Sequence, residues 1–419
     1  MNLKTNQTFA QFKPGRPYLI LGAGASGLFM GHYLKQKNIP FEIWDCADRA
    51  GGKIGTKRTS WGLIEQAANG ILQDELVKEL CQALAAPVIS SHPKLKRLIL
   101  DLDSFYHRPS AKAMLSLLWN AKRKMTKPNH EAASLSELML PWLGENRSKQ
   151  FLSAMTRGIY GAAAYELNGT ALFPEWSQMS HDQKTFFHWM KHFKSKMKGA
   201  KTISFDGGMQ TLIDLLTDKL RDHLHLNKKV ETSSDLDWSK NIIFATSPTI
   251  IAKILKNKNA ALANQIENIT YLPLSTTTLF TSAPIKVLQN CFGALITPRT
   301  SESIFGVLAN SEIFANRTHL PAKHSYTIVH APSAGQPEIE HFLVSYFQFD
   351  LKSKIQMESL NWPQAIPHYN HELLEVVQSL PAHFDSNELG FNGAFIGPWI
   401  QIGLRDILTQ AKNISLLAN

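Results

Sequence analysis

The pattern of apolar and polar positions divides the chain into a few strong segments. Tyr18, Leu19, Ile20 and Leu21 form an unbroken apolar run, as a parallel strand buried on both faces requires. Phe41 to Trp44 give a second strand, and a helix fits between the two. Leu76, Leu80 and Leu84 recur at four-residue spacing and predict a helix over 72–90. A strand from Thr202 to Phe205 runs through Asp206-Gly207-Gly208 into a helix, Met209 to Leu220, with Leu212, Leu215, Leu216 and Leu220 on its apolar face. Leu224 to Val230 and Asn241 to Ala245 read as two short strands. Residues 268–350 are strand-rich, with candidates at Ser275–Thr281, Ser303–Leu308, Tyr326–His330 and Phe342–Phe347 in an antiparallel or mixed sheet. The stretch 91–202 is rich in helix formers, aromatics and Lys, and Ala113 to Lys124 sets Leu115, Leu118 and Trp119 against a basic end. That segment fits a core helix with a charged outer face, or a helix lying on a bilayer.

Glycines punctuate this pattern where chemistry is expected. Gly22, Gly24 and Gly27 spell G-x-G-x-x-G between the first strand and its helix, with Ala23, Ala25 and Ser26 between them. The first glycine allows a tight turn, the second lets a pyrophosphate approach, and the third lets helix and strand pack closely. The helix N-terminus that follows leaves N–H groups for an anion. Asp45 ends the second strand, about 20 residues on, where a carboxylate accepts a ribose hydroxyl. It would repel a 2′-phosphate, which disfavours NADP. Beyond it lies a second glycine turn, Gly51-Gly52, preceded by Arg49 and followed by Lys53. Arg49 is placed to neutralise a phosphate or to order the loop, and the glycine pair lets the backbone run beside a cofactor.

The 419 residues are enough for two or three domains. No run of 18 apolar residues marks a membrane span, and the first 17 residues lack the apolar core of a secretory signal. Cys46, Cys81 and Cys291 are too few and too scattered for a disulfide framework or a zinc site, and fit a reducing cytosol. The net charge of +10 favours anionic partners: an acidic membrane, an acidic substrate or nucleic acid. No nucleic-acid motif is present. The charge gathers at Arg108, Lys112, Lys122, Arg123, Lys124 and Lys127, and again at Lys191, Lys194, Lys196, Lys198 and Lys201, either as solvated helix faces or as membrane- or substrate-attracting ones. His188 and His192 are four apart, but Trp189 stands where a zinc helix needs Glu, so no metal is expected. His324, His330 and His341 are read as structural.

Asp45, Arg49, Gly51 and Gly52 form D-x-x-x-R-x-G-G, which resembles the FAD-binding signature of the amine-oxidase superfamily. Further segments resemble protoporphyrinogen oxidases within it. WGLIEQAANGIL is similar to the stretch beside the flavin ring, with Glu65 and Gly70 matching, Ala67 and Ala68 replacing Gly-Pro, and Asn69 at an Arg or Asn position. TRGIYGAAAYELNGTALFPE matches a Gly-x-Tyr-x-Gly turn and a later Phe-Pro at Gly158, Tyr160, Gly161, Leu167, Phe173 and Pro174. SFDGGMQTLIDLL resembles the return into the FAD domain, and Ile242 to Thr246 the strand that follows. GPWIQIGLRDILTQAKNI resembles the C-terminal flavin segment, matching at Gly397, Gly403, Leu404 and Asp406, with Ile402 for Val and Arg405 for Pro.

The resemblance implies an α/β fold. A discontinuous Rossmann-type FAD domain would take 16–90, 202–255 and 386–419, a basic helical insert 91–201, and a mixed-sheet substrate domain 256–385. It implies FAD contacts along Gly22, Ala23, Gly24, Ala25, Ser26 and Gly27, at Asp45, Arg49, Gly51, Gly52 and Lys53, at Ala67, Ala68, Asn69 and Gly70, at the Val230 backbone beside adenine, and at Gly397, Ile402, Gly403 and Leu404. Asn69 is the one substrate candidate, and no catalytic base is identified. The implied reaction is hydride transfer from protoporphyrinogen IX, a tetrapyrrole, to flavin N5, with O₂ as acceptor, in haem synthesis. The implied setting is cytoplasmic, peripheral on the inner face of the membrane. Two alternatives stay open: an amine oxidase or carotenoid-type desaturase, and a flavin-binding homologue without turnover.

Overall fold

A computed structural model describes residues 9–106, 134–173, 201–385 and 390–418, with the single positions 119 and 191. The Ala113–Lys124 segment, the His188/His192 pair and most of both basic clusters lie outside the described residues.

In chain order the strands are β1 (Ala10–Gln11), β2 (Tyr18–Leu21), β3 (Phe41–Trp44), β4 (Thr56–Thr59), β5 (Gly62–Glu65), β6 (Ile71–Gln73), β7 (Val88–Ser90), β8 (Lys96–Asp101), β9 (Ser104–Tyr106), β10 (Lys201–Phe205) and β11 (Leu224–His225). They continue with β12 (Asn241–Phe244), β13 (Tyr271–Thr281), β14 (Cys291–Ile296), β15 (Ile304–Leu308), β16 (His324–His330), β17 (Lys354–Pro367) and β18 (Asn392–Phe395). The helices used below are α1 (Ala25–Gln36), α2 (Glu75–Ala83), α3 (Leu135–Leu143), α4 (Phe151–Tyr160), α5 (Gln210–Leu220), α6 (Pro248–Leu255), α7 (Ala260–Glu267), α8 (Gln336–Phe347), α9 (His371–Asp385) and α10 (Leu404–Leu417).

The first sheet has the order β1-β18-β12-β2-β3-β11, parallel except for its edge strand β1. Side chains alternate across a strand. Tyr18 and Ile20 accordingly join the core under α1, α2, α5 and α10. Leu19 and Leu21 join the opposite core, with α3, α6, α7 and α9. Both faces are covered, which is why β2 reads as a continuous apolar run. Each fully buried side chain in such a core contributes about 1.5–3 kcal/mol. The carboxyl ends of β2, β3, β12 and β18 are where a ligand of such a sheet sits.

A seven-stranded mixed sheet, β17-β13-β16-β15-β14-β8-β9, forms a second body with its own core under α8. It recruits β8 and β9, so residues 96–106 belong to this sheet and not to the helical insert expected over 91–201. Three element readings also change. Phe342–Phe347 lie in α8, not in a strand: Gly335 caps the helix, Pro337 opens its first turn, and Phe342, Leu343 and Phe347 share its buried face. The 72–90 helix shortens to α2 because Asp74 caps it, its carboxylate accepting the Val77 N–H at 2.9 Å, and the flanking residues become β6 and β7 on either side of β10. The 224–230 strand stops at His225, since Asn227 turns the chain at φ +56°. His330 is structural, its ring bonded to Thr277 and to the Ala331 carbonyl.

His32 lies buried in α1, with Nδ1 unpartnered and Nε2 3.0 Å from Gln36. Burial, aided by Lys219, lowers its pKa from 6.5 to about 4. Between those values the unfolded chain binds a proton that the folded chain refuses. Stability therefore falls as pH drops from 6.5 toward 4, by up to roughly 3 kcal/mol. Denaturant unfolding at pH 5 and pH 7.5 should show this loss, and His32→Gln should remove most of it.

Candidate functional site

The site is built around the end of β2. Gly22 turns there at φ +111°, and a methyl group on it would sit 2.7 Å from the Ala245 carbonyl oxygen. Gly27, one turn into α1, faces Gly22: a methyl there would lie 1.9 Å from the Gly22 oxygen, a contact only glycine admits. Gly24 caps α1 with no side-chain hydrogen bond, and the first turn has no acidic residue. The N–H groups of Ala25, Ser26 and Gly27 thus have no carbonyl within the helix to reach, and point out with the positive end of its dipole.

Asp45 follows β3 directly. Its Oδ2 accepts the Ala23 N–H at 2.6 Å and its Oδ1 accepts the Ala47 N–H at 2.8 Å. A carboxylate has about four lone-pair positions, which leaves two for a sugar diol. Residues 226–230 run alongside, with Asn227 donating to the Ala47 carbonyl and Lys228 to that of Asp45, and this brings Val230 to the same sheet end. Asp45→Ala should weaken dinucleotide binding about ten-fold, read by fluorescence titration with FAD as the probe. Unchanged binding would remove Asp45 from the site.

The second glycine turn stacks on the first. The Gly51 N–H donates to the Ala23 carbonyl at 2.8 Å, and a methyl on Gly52 would lie 3.2 Å from the Gly24 Cα. Arg49 takes the loop-ordering role of the two considered: its guanidinium donates to the carbonyls of Ala50, Gly52 and Ile54 and to Gln66 Oε1. Lys53 leaves the turn for the second body. Its ammonium donates to the carbonyls of Gln364 and Ala365 in β17 and lies 4.9 Å above the Tyr271 ring.

Beyond the β4–β5 hairpin, Ala67 is exposed and Ala68 half-buried. The Gln66 carbonyl accepts Trp362 Nε1–H at 2.8 Å. Asn69 donates to Asn310 Oδ1 at 3.1 Å, and Asn310 donates on to Ser325 and Thr327 of β16, so Asn69 joins the loop to the large sheet. At Gly70 a methyl would meet the Ile203 oxygen at 2.6 Å.

The C-terminal segment closes the cradle. Gly397 sits at φ +154° after β18, where a methyl would lie 3.5 Å from the Trp399 ring and 4.0 Å from Ser26 Oγ. Its N–H donates to Gln410 Oε1 of α10 at 3.3 Å. Gly403, at φ +90°, caps α10 without a side-chain bond, Leu404 begins that helix, and Ile402 packs into the core. The starts of α1 and of the C-terminal segment thus face one another. Beside Gly397 lies Trp399, buried, whose indole N–H has no partner. An orphaned donor beside glycines that leave room for a ligand fits a dinucleotide cofactor.

Sequence reasoning missed several residues that the fold brings here. Glu65 and Arg317 form a buried ion pair at 2.8 Å at the end of the β4–β5 hairpin. Glu65 also accepts from Thr56 and from the Met209 N–H, and Arg317 donates to Ser204. Burial pushes the Glu65 carboxyl up and the Arg317 guanidinium down, each opposed by its partner. Tyr160, Tyr271, Tyr369 and Trp399 also converge. Of these residues only Glu65 and Tyr160 carried a signal, Glu65 in WGLIEQAANGIL and Tyr160 in its glycine turn; neither signal pointed to the ion pair or the cluster. Among the described residues, no group of His, Cys, Asp and Glu is arranged to hold a metal, and no helix is long and apolar enough to cross a membrane.

Protoporphyrinogen oxidase of Nicotiana tabacum mitochondria is 24% identical over 90% of this chain and 89% of its own. The chain resembles protoporphyrinogen oxidases along most of its length. The chloroplastic tobacco enzyme is 22% identical over 90% of this chain and 80% of its own. A family model described as an NAD(P)-binding Rossmann-like domain matches residues 20–84, the stretch that carries both glycine turns. Among solved structures, a candidate protoporphyrinogen oxidase of Exiguobacterium sp. superposes with a TM-score of 0.78 at 15% identity, covering 97% of this chain and 99% of its own. Cyclohexylamine oxidase of Brevibacterium oxydans superposes at 0.66 and 15% identity, covering 96% and 99%. The fold is therefore a Rossmann-type dinucleotide-binding body joined to a mixed sheet, as in the flavin oxidases.

Proposed function

We propose that this protein is an FAD-dependent oxidase that converts protoporphyrinogen IX to protoporphyrin IX. The observation that carries the cofactor reading is the meeting of the α1 N-terminus, Asp45, Gly397 and the unpartnered Trp399 N–H at one end of the parallel sheet. The substrate reading draws on the likeness to protoporphyrinogen oxidases over nine tenths of the chain.

In this reading Gly22 to Gly27 and the free N–H groups of α1 hold the pyrophosphate. Asp45 would hold the ribose with the acceptor capacity left by its bonds to Ala23 and Ala47. Val230 lies beside the adenine. Gly51 and Gly52 keep the backbone clear of the cofactor, and Arg49 fixes their loop. Ala67, Ala68, Asn69 and Gly70 flank the ring. Gly397, Ile402, Gly403 and Leu404 present the α10 N-terminus to it, where the helix dipole favours negative charge. Bound FAD supplies the two-electron acceptor for hydride leaving a substrate C–H. The protein's part would be to position both partners, with O₂ as the final acceptor in this reading. The +10 charge suits a tetrapyrrole dianion and an acidic membrane surface as partners, and in this reading the protein is cytoplasmic, peripheral on the inner face of the membrane.

Turnover tests the proposal. With FAD and O₂ the protein should convert protoporphyrinogen IX to the fluorescent porphyrin faster than the uncatalysed control. Putrescine and cyclohexylamine should consume no O₂. The reverse result would make it an amine oxidase.

A further inference from the structure

We propose that Tyr160, Tyr271 and Lys53 form the substrate-recognising wall of the site and select a carboxylate-bearing substrate over an ammonium-bearing one. The inference rests on the flavin-oxidase reading above.

The three residues come from three separate parts of the chain. Tyr160 ends α4, where Gly161 at φ +73° stops the helix. Its ring meets Tyr369 edge-on, with centroids 5.9 Å apart. The Tyr369 hydroxyl donates to the Pro398 carbonyl at 2.6 Å, between Gly397 and Trp399, which ties the cluster to the C-terminal segment of the cradle. Tyr271 opens β13 opposite Pro367 of β17, and Lys53 reaches across from the second glycine turn to its ring.

Two features of this wall point to an acid. First, Tyr369 uses its hydroxyl, but those of Tyr160 and Tyr271 have no hydrogen-bond partner among the described residues. Burial pushes both phenols up, Tyr160 to about 12, so both stay O–H donors at neutral pH. Half-buried donors without acceptors suit a ligand that brings acceptors. Second, an ammonium ligand would be held by an open ring face. The face of Tyr271 is already covered by Lys53, at 4.9 Å, and a second cation there would meet like charge. Burial lowers Lys53 to about 8, which leaves it mostly a cation at neutral pH. Asp406, whose charge acts on Tyr160 and Tyr369, is engaged by Arg405 at 3.1 Å and offers a weak counter-attraction for an amine.

The test compares protoporphyrin IX with its dimethyl ester, which keeps the ring and loses both carboxylates. Binding is read by porphyrin fluorescence anisotropy, which needs no flavin, and in parallel by perturbation of the absorbance of bound FAD. The diacid should bind about ten-fold more tightly than the ester. Lys53→Met should erase that preference and Lys53→Arg should restore it. Tyr160→Phe and Tyr271→Phe should each weaken diacid binding several-fold and the ester, which keeps only neutral carbonyl acceptors, by less. Equal binding of diacid and ester by the parent protein, or a preference that survives Lys53→Met and both phenylalanine variants, overturns the inference. Failure to take up FAD would instead overturn the functional reading, and the anisotropy comparison would still decide acid preference.

Discussion

Replacing Arg317 with methionine is expected to lower the free energy of unfolding by about 3–5 kcal/mol, the cost of leaving a buried charge without its partner. Arg317 and Glu65 are both almost wholly buried, with side chains 2% and 7% exposed. The pair joins three parts of the chain. Glu65 belongs to the β4–β5 hairpin after the second glycine turn and also holds Thr56 and the Met209 N–H at the start of α5. Arg317 belongs to the loop before β16, rests on the Phe314 ring at 4.9 Å, and reaches Ser204 in β10. Without Arg317 the Glu65 carboxyl, already raised by burial, must protonate to stay inside. A raised carboxyl pKa means that the folded state binds the extra proton, so the variant should be less destabilised at pH 5 than at pH 8. Glu65→Gln added to Arg317→Met should recover at least half of the loss. Chemical denaturation of the single and double variants, at both pH values, measures all three terms.

The second large effect separates fold from cofactor at two glycines of one motif. Gly27→Ala places a methyl 1.9 Å from the Gly22 carbonyl oxygen, where backbone meets backbone and no rotamer relieves the clash. Loss of the folded protein, or a destabilisation above about 3 kcal/mol, is expected. Gly24→Ala meets nothing nearer than the Gly52 Cα at 4.0 Å. Its fold should survive with little change in Tm, while its methyl intrudes where the pyrophosphate approaches. FAD affinity should then fall at least ten-fold. Thermal unfolding and FAD titration, run on both variants, distinguish the two roles. Equal behaviour of the pair would show that the motif serves packing alone.

How far the sequence carries depends on the range of the interaction that fixes each residue. The first glycine turn, β2, β3, α1 and α5 were legible because local spacing decides them: an apolar run between two covered faces, a glycine where a methyl cannot fit, leucines on one helical face. Asp45 was legible by its position at the end of β3. The Glu65–Arg317 pair was not, because its members are brought together only by the packing of one body on the other. The tyrosines at 271 and 369 were hidden for the same reason, since β13 and β17 meet there through long-range pairing. Phe342 to Phe347 were misread because a short apolar run satisfies strand and helix alike, and Pro337 with Gly335 decides the matter only upstream. The substrate-sheet boundary shifted because β8 pairs in parallel with β14, nearly 200 residues away, and no local signal marks such a partner.

On the proposed function, the cradle holds FAD and a tetrapyrrole gives it hydride. The most direct measurement mixes the FAD-loaded protein with protoporphyrinogen IX in the absence of oxygen and follows the visible absorbance of the flavin. This absorbance should bleach in a single exponential phase and return on admission of air. Flavin that stays oxidised with protoporphyrinogen IX but bleaches with putrescine or cyclohexylamine, or a protein that takes up no FAD, would contradict it.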